Sequence, residues 1–183
     1  MKIIKRILFV LAIILFIVTA IGLLLPSQVH VERSTTINLQ QESVFDYVNQ
    51  ISNWNLWSPW FEMDTTASYT QSGPASGVGA KLSWVSTNKD VGRGSMTYTE
   101  VTSPSLIKQD LNFMEEGVAT GIYSFAPEGG GTKVTWSLEF DTGFNPLLRI
   151  MGKFMDGMVG KDFERGLNKL KSNLESLPAE EIQ

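Results

Sequence analysis

Five carboxylates beside predicted strands are the side chains best placed for acid–base chemistry: Glu62, Asp64, Glu100, Glu139 and Asp141. A cyclase or dehydratase would need such a group inside a cavity to give or accept a proton. In a strand, however, alternate side chains lie on the outer face, and charged residues usually take those positions. We therefore expect most of these carboxylates to be solvated, and we assign none of them as catalytic.

Other reactive side chains are scarce. The chain has no Cys and a single His, His30. A metal centre or a nucleophile–histidine pair needs partners that this composition does not offer, so we predict no metal and no cofactor. Arg93, between two glycines, is suited to hold a ligand carboxylate, but an Arg at a hairpin tip is more often exposed. An enzyme is therefore less expected than a binding protein.

Aromatic and Met side chains form a second candidate group, suited to an apolar pocket. Large rings contribute extensive apolar surface, and Met adapts to irregular shapes. Ordinary core packing is the alternative for the same side chains, and it is favoured for Trp54 and Trp57. The predicted ligand-binding residues are Trp60, Trp84, Met96, Tyr98, Tyr123, Phe125, Trp136, Met151, Phe154 and Met155.

The elements that must position these residues are a strand, a helix, a run of strands and a final helix. Helical spacing of Val44, Phe45 and Val48 predicts a helix over 41–51. The short links between the later strands favour antiparallel hairpins in sequence order. The predicted strands are 29–38, 68–72, 81–87, 94–102, 105–112, 118–126 and 132–141.

A long amphipathic helix ends the chain. Its apolar stripe steps by four and three residues through Phe163, Leu167, Leu170, Leu174 and Leu177. Pro146 suits the first helical position. An earlier Met and Phe stripe precedes two nearby glycines, at positions 157 and 160, where we expect a kink or a division. The order predicts an α+β fold, with one curved antiparallel sheet around the C-terminal helix and a hollow between them.

The N-terminus predicts a membrane anchor. Ile7–Leu25 is a run of nineteen uncharged residues that follows Lys2, Lys5 and Arg6. As a helix the run is roughly 28 Å long, enough to cross a hydrocarbon core. The flanking charges predict a single-pass protein with a cytoplasmic N-terminus and the domain outside, in the periplasm of a Gram-negative cell. The alternative is a cleaved signal peptide and a secreted domain.

The charge balance argues against nucleic acid as a partner. Without the three basic residues of the N-terminal segment, the chain has 12 basic and 19 acidic residues, a formal net charge of −7. Nucleic-acid phosphates bind to stripes of Lys and Arg, and the sequence has none.

Six segments of the chain together match the pattern of a known family. They are Val44–Val48, Trp54–Trp60, Gly77–Ala80 followed by Trp84, Val91–Gly94, Gly129–Trp136 and Phe163–Leu167. With these segments the chain resembles the SRPBCC superfamily, also called the START-like or helix-grip fold, and most closely its bacterial polyketide cyclase/dehydrase-like branch. Members of that branch often have an N-terminal membrane segment. The resemblance spans about residues 29 to 177.

The resemblance implies the helix-grip fold and leaves several activities open, since the superfamily includes lipid carriers, receptors, cyclases and chaperone activators. We expect an anchor at 1–26, a START-like domain at 27–178 and a tail at 179–183. The leading hypothesis is a membrane-anchored protein that binds a small hydrophobic molecule, lipid-like or isoprenoid-like, in an apolar cavity. The alternatives are an envelope protein-interaction module with a filled cavity and, less favoured, a cyclase or dehydratase that uses a buried carboxylate.

Overall fold

A seven-stranded antiparallel sheet forms the centre of the computed structural model, which describes residues 2–114 and 117–177. Alternation of inward and outward side chains follows the strand pattern expected from the sequence. The strands are β1 (Gln28–Ile37), β2 (Ser68–Ser72), β3 (Lys81–Val85), β4 (Arg93–Thr102), β5 (Leu106–Asn112), β6 (Val118–Glu128) and β7 (Gly131–Asp141).

Helices precede, interrupt and follow the strands. A 3-10 turn, Ile51–Asn53, lies between the second and third helices. The helices are α1 (Lys2–Leu24), α2 (Gln41–Asn49), α3 (Trp54–Trp57), α4 (Pro59–Met63) and α5 (Pro146–Ser176). The tail predicted at 179–183 lies outside the described residues.

Strand order explains how the sheet curves around a helix. Strands β2 to β7 are neighbours in sequence order, and β1 pairs with β7, so the order is β1-β7-β6-β5-β4-β3-β2. The β1–β7 ladder runs from Gln28 opposite Asp141 to Ile37 opposite Thr132. A register shift between Tyr98 and Glu100 in β4 marks a bulge, which bends the sheet. The predicted α+β helix-grip architecture is confirmed.

Helix α5 begins where the sequence signals predict. The Asn145 side chain accepts hydrogen bonds from the N–H groups of Leu147 and Leu148, and Pro146 occupies the first turn. The predicted inner stripe is confirmed, because Phe163 and the later leucines at 167, 170 and 174 are buried. These residues cover the inner face of the sheet.

The division of the helix expected at positions 157 and 160 is wrong, since α5 is one continuous helix. The glycines serve close packing instead. A Cβ atom at Gly160 would lie 2.1 Å from Arg33 Nη2, and one at Gly152 would lie 2.6 Å from Val29 Cγ2. Glycine at these two positions lets α5 lie close to β1.

Helix α1 is long and apolar enough to cross a membrane, and its C-terminal end packs on α5. A Cβ atom at Gly22 would lie 2.4 Å from the carbonyl oxygen of Pro146. Arg149 donates from Nη1 to the carbonyl oxygens of Leu23 and Leu25, at 3.0 and 3.1 Å. A cation at these last carbonyls complements the negative end of the helix dipole.

Candidate functional site

Aromatic side chains occupy the space between the sheet and α5. Trp136 of β7 lies parallel to Phe163 of α5, with ring centroids 3.9 Å apart. Trp54, Trp57 and Trp60 reach Trp136 from the short helices, at centroid distances of 5.4, 5.4 and 5.8 Å. Edge-on ring pairs contribute about 0.5–1.5 kcal/mol beyond the burial of their area. The cluster therefore fastens the α3–α4 segment to both the sheet and α5.

Polar groups lie beside this cluster and deep in the interior. The Gln109 amide donates from Nε2 to the hydroxyl of Tyr123 at 3.2 Å, and the Tyr98 hydroxyl donates to the carbonyl oxygen of Val48 at 2.9 Å. Within residues 2–114 and 117–177, Gln109 Oε1 and Trp57 Nε1 are buried and find no hydrogen-bond partner. Leaving a buried polar group unpaired costs about 1–3 kcal/mol, so each is an unusual feature of a folded interior.

Both interior tyrosines are held neutral. Burial raises the pKa of Tyr98 and the pKa of Tyr123 well above the ordinary phenol value, since a phenolate would lose its hydration there. The Gln109 hydrogen bond lowers the pKa of Tyr123 by less than burial raises it. These phenols can therefore donate and accept hydrogen bonds at neutral pH, but neither acts there as a base.

The ten residues predicted to bind a ligand fall into three places. Met96, Tyr98, Tyr123, Phe125 and Trp136 are buried in the interior. Trp60, Trp84 and Met155 are half-buried and pack against that core. Met151 and Phe154 are 54% and 65% exposed on α5. The structure thus brings the strand residues together and leaves the last two on the solvent side of the helix.

Each of the five candidate carboxylates lies outside the interior. Each has an ion-pair or hydrogen-bond partner at the surface. Glu62 pairs with Lys169, and Glu100 pairs with Lys108. Asp64 accepts hydrogen bonds from Ser86 and Thr66, which lower its pKa. Glu139 contacts His30, and Asp141 accepts from Gln28. These carboxylates therefore form ion pairs and hydrogen bonds at the surface and do not line the interior.

The two remaining predicted polar candidates also lie at the surface. His30 is about half exposed, with Nδ1 3.2 Å from Glu139 Oε1. Arg93 lies at the β3–β4 hairpin, where a surface pocket of about 360 Å³ is lined by Asn88, Lys89 and Phe113 among others. This pocket opens at the surface, away from the aromatic interior, and its walls are mixed polar and apolar.

Sequence reasoning missed Gln109. The signal was available, because alternation along β5 puts it on the same face as Ile107, which is fully buried. Gly121 stands opposite it on β6, where a Cβ atom would lie 2.7 Å from Gln109 Nε2. A glycine across from a polar strand residue therefore makes the room that the amide occupies.

The sheet, the long helix and the aromatic-lined interior define a START-like, helix-grip domain. A family model described as "Polyketide cyclase / dehydrase and lipid transport" matches residues 28–175. The chain belongs to this family, and the resemblance to the SRPBCC superfamily is confirmed. No curated protein matches the chain at a significant level.

Solved structures share the fold at low sequence identity. The di-domain ARO/CYC StfQ from the steffimycin biosynthetic pathway has a TM-score of 0.62 at 12% identity, over 81% of this chain and 51% of that chain. SA2116 from Staphylococcus aureus, a protein of unknown function, has 0.61 at 14%, over 81% and 94%. Ms6760 from Mycobacterium smegmatis has 0.56 at 16%, over 81% and 92%. Likeness at this level shows the fold alone.

Proposed function

We propose that this protein is a membrane-anchored binding protein for a small hydrophobic molecule that carries a hydroxyl group. The ligand is taken up between the sheet and α5. The observation that carries the proposal is that Gln109 Oε1 and Trp57 Nε1, both buried in the largely apolar interior, have no hydrogen-bond partner among the described residues. One is an acceptor and the other a donor, so together they suit a group that can both donate and accept.

Ligand uptake requires the aromatic cluster to open. Trp54, Trp57 and Trp60 all lie on α3 and α4, which have four and five residues. Helices this short have little stability of their own and depend on packing. Outward movement of this segment would free space beside Trp136 and Tyr123 without breaking the sheet.

Packing between α1 and α5 supports an uncleaved anchor. Gly22 is buried against Pro146, and Arg149 holds the last carbonyl oxygens of α1. A signal peptide has no need of a specific contact with the mature domain, whereas a permanent anchor gains a fixed orientation from one. An anchored domain also meets apolar ligands where they concentrate, because such molecules partition into the bilayer.

Two brominated probes test the binding proposal. The full chain is reconstituted in phosphatidylcholine vesicles and titrated with a bromine-terminated long-chain alcohol, then with the matching alkane that lacks the hydroxyl. Bromine quenches Trp fluorescence on contact, and α1 contains no Trp. We expect saturable quenching by the alcohol at lower concentration than by the alkane, because only the alcohol satisfies the unpaired atoms.

A Gln109→Leu variant supplies the specific control. It should weaken binding of the alcohol about 2- to 10-fold, the value of one net hydrogen bond, and leave binding of the alkane unchanged. Asn168→Leu, on the exposed side of α5, is the matched surface control and should change neither. Equal, non-saturable quenching by both probes would refute the proposal.

A second function is favoured by a different observation. The aromatic rings fill the interior so closely that Trp57 and Tyr123 are each 1% exposed. A permanently filled interior would make the domain an envelope protein-interaction module instead of a carrier. Native mass spectrometry of the chain purified from membranes, with solvent extraction, separates the two functions, since a carrier retains a discrete extractable lipid mass.

A further inference from the structure

We propose that the first four turns of α5, together with Phe144 two residues before the helix, insert into the outer surface of the lipid bilayer beside α1. The inserting surface is an apolar stripe formed by Phe144, Leu147, Met151, Phe154 and Met158. This inference rests on the anchoring of α1 proposed above and goes beyond it, because it gives the domain a second lipid contact and a fixed orientation.

The stripe is strongly exposed. Phe144 is 88% exposed, and the four helical members are between 54% and 66% exposed. Steps of four, three and four residues place Leu147, Met151, Phe154 and Met158 along one face of the helix. A contiguous apolar face of this kind on a soluble surface indicates a contact with a partner or a membrane.

The contact with α1 fixes where that stripe lies. Gly22 touches Pro146 and precedes Leu25, the last residue of the apolar run, by three residues. Three residues correspond to about 4.5 Å of helix, so Pro146 lies slightly inside the level at which the run ends. Leu147 is its neighbour in α5. The start of the stripe is therefore held at the boundary of the hydrocarbon.

The same face of α5 changes character away from the anchor. Up to Met158 it is apolar, and beyond that residue its exposed members are Lys161, Arg165 and Ser172. Ser172 is five helical turns, about 27 Å, beyond Phe154 on the same face. Exposure is common to both halves, and only the half beside α1 is apolar. A lipid contact limited to that half accounts for the change, whereas general tolerance of surface apolar residues does not.

Charges beside the stripe fit lipid headgroups. Arg149, Lys153 and Lys161 lie within 146–161, and Asp156 is the acidic residue there. Asp156 is occupied by Arg33, which donates to its carboxylate at 2.7 and 3.1 Å. This stretch is thus basic in a domain that is acidic overall. Basic residues around an apolar helical face are typical of helices that lie in the membrane interface.

Single-cysteine labelling tests the proposal. Because the natural chain has no Cys, each introduced thiol is unique. The full-length variants Leu147→Cys, Met151→Cys and Phe154→Cys carry an environment-sensitive fluorophore in vesicles of phosphatidylcholine and phosphatidylglycerol. Ser172→Cys is the matched control on the same helix face, and Leu15→Cys reports on α1. Lipids with a spin label high on the acyl chain serve as quenchers for the stripe, and lipids with a label near the end of the chain serve for Leu15.

The expected result is a gradient. Emission shifts to the blue and is quenched most at Leu147, less at Met151 and least at Phe154, while the label at Ser172 emits as in water and is not quenched. Quenching at Leu15 with none along the stripe overturns this proposal and leaves the anchor intact. Absence of quenching at Leu15 overturns the anchor as well. A blue shift along the stripe without lipid quenching indicates a second copy or another protein there, and it also refutes the proposal.

Discussion

Two alanine substitutions in α5, three residues apart, should change stability in opposite directions. At Gly157 a Cβ atom would meet nothing within 4 Å, so alanine adds only its better helix propensity. That gain is about 0.8–1.0 kcal/mol in a helix interior. For a domain of this size, 1 kcal/mol raises the melting temperature by roughly 2–4 °C.

At Gly160 the same propensity gain meets a steric conflict. The new Cβ would lie 2.1 Å from Arg33 Nη2 and 2.5 Å from Arg33 Cζ. The guanidinium is held by Asp156 and, through an Nε hydrogen bond of 2.7 Å, by Glu164. Alanine must therefore displace an anchored side chain. We expect Gly160→Ala to lower the free energy of unfolding.

Arg33→Ala isolates the cause. In that background the conflict is gone, so Gly160→Ala should stabilise the protein as Gly157→Ala does. For the effect of Gly160→Ala on the free energy of unfolding to change sign when Arg33 is removed, the coupling energy between the two positions must exceed about 1 kcal/mol in the double-mutant cycle. Urea unfolding of the full chain in detergent measures it, with fluorescence of the interior Trp cluster as the signal. If Gly160→Ala stabilises the natural protein as much as Gly157→Ala, the argument from close packing is refuted.

Three further outcomes follow from the contacts. Because burial raises the pKa of Tyr98 and of Tyr123, the folded state keeps protons that the unfolded state loses above about pH 10. Stability should then fall by up to about 1.4 kcal/mol per pH unit for each tyrosine, and replacement of either by Phe should remove its share in alkaline urea titrations. Arg149→Gln should accelerate amide exchange at the end of α1, whereas the matched Lys153→Gln should not; equal exchange in both contradicts the capping role. Hydrogen bonds lower the pKa of Asp64, so its contribution is present above the ordinary carboxyl pKa and lost as pH falls through the lowered value; Asp64→Asn should remove that acid dependence in unfolding experiments, and an unchanged acid limb would count against it.

Local patterns were sufficient to predict nearly every element. The strand Ser68–Ser72 and the helix that begins at Gln41 start in the structure at the residues predicted from the sequence, because alternation and helical spacing are local properties. Close packing is not local. Gly160 was interpreted as a helix breaker, since its partner Arg33 is over a hundred positions away in the chain and only the folded structure brings them together.

The candidate site was predictable only in part for the same reason. Alternation along β4 places Met96 and Tyr98 on one face of the strand, but it does not identify that face as the inner one. The Met and Phe stripe on α5 was interpreted as a pocket lining, because exposure depends on where α5 lies against the sheet. Phe154 shows the consequence, with a side chain that faces outward.

The pairing of β1 with β7 has a consequence for how the chain is made. Gln28 leaves the ribosome 113 residues before its partner Asp141. At typical rates of synthesis this interval is roughly 6 to 23 seconds, during which both hydrogen-bonding edges of β1 are unpaired. His30 and Glu32 on its outer side deter the association of such an edge with other chains. The first strand of this sheet to be made is thus among the last to be paired, and the nascent protein depends on those outward polar side chains until β7 is made.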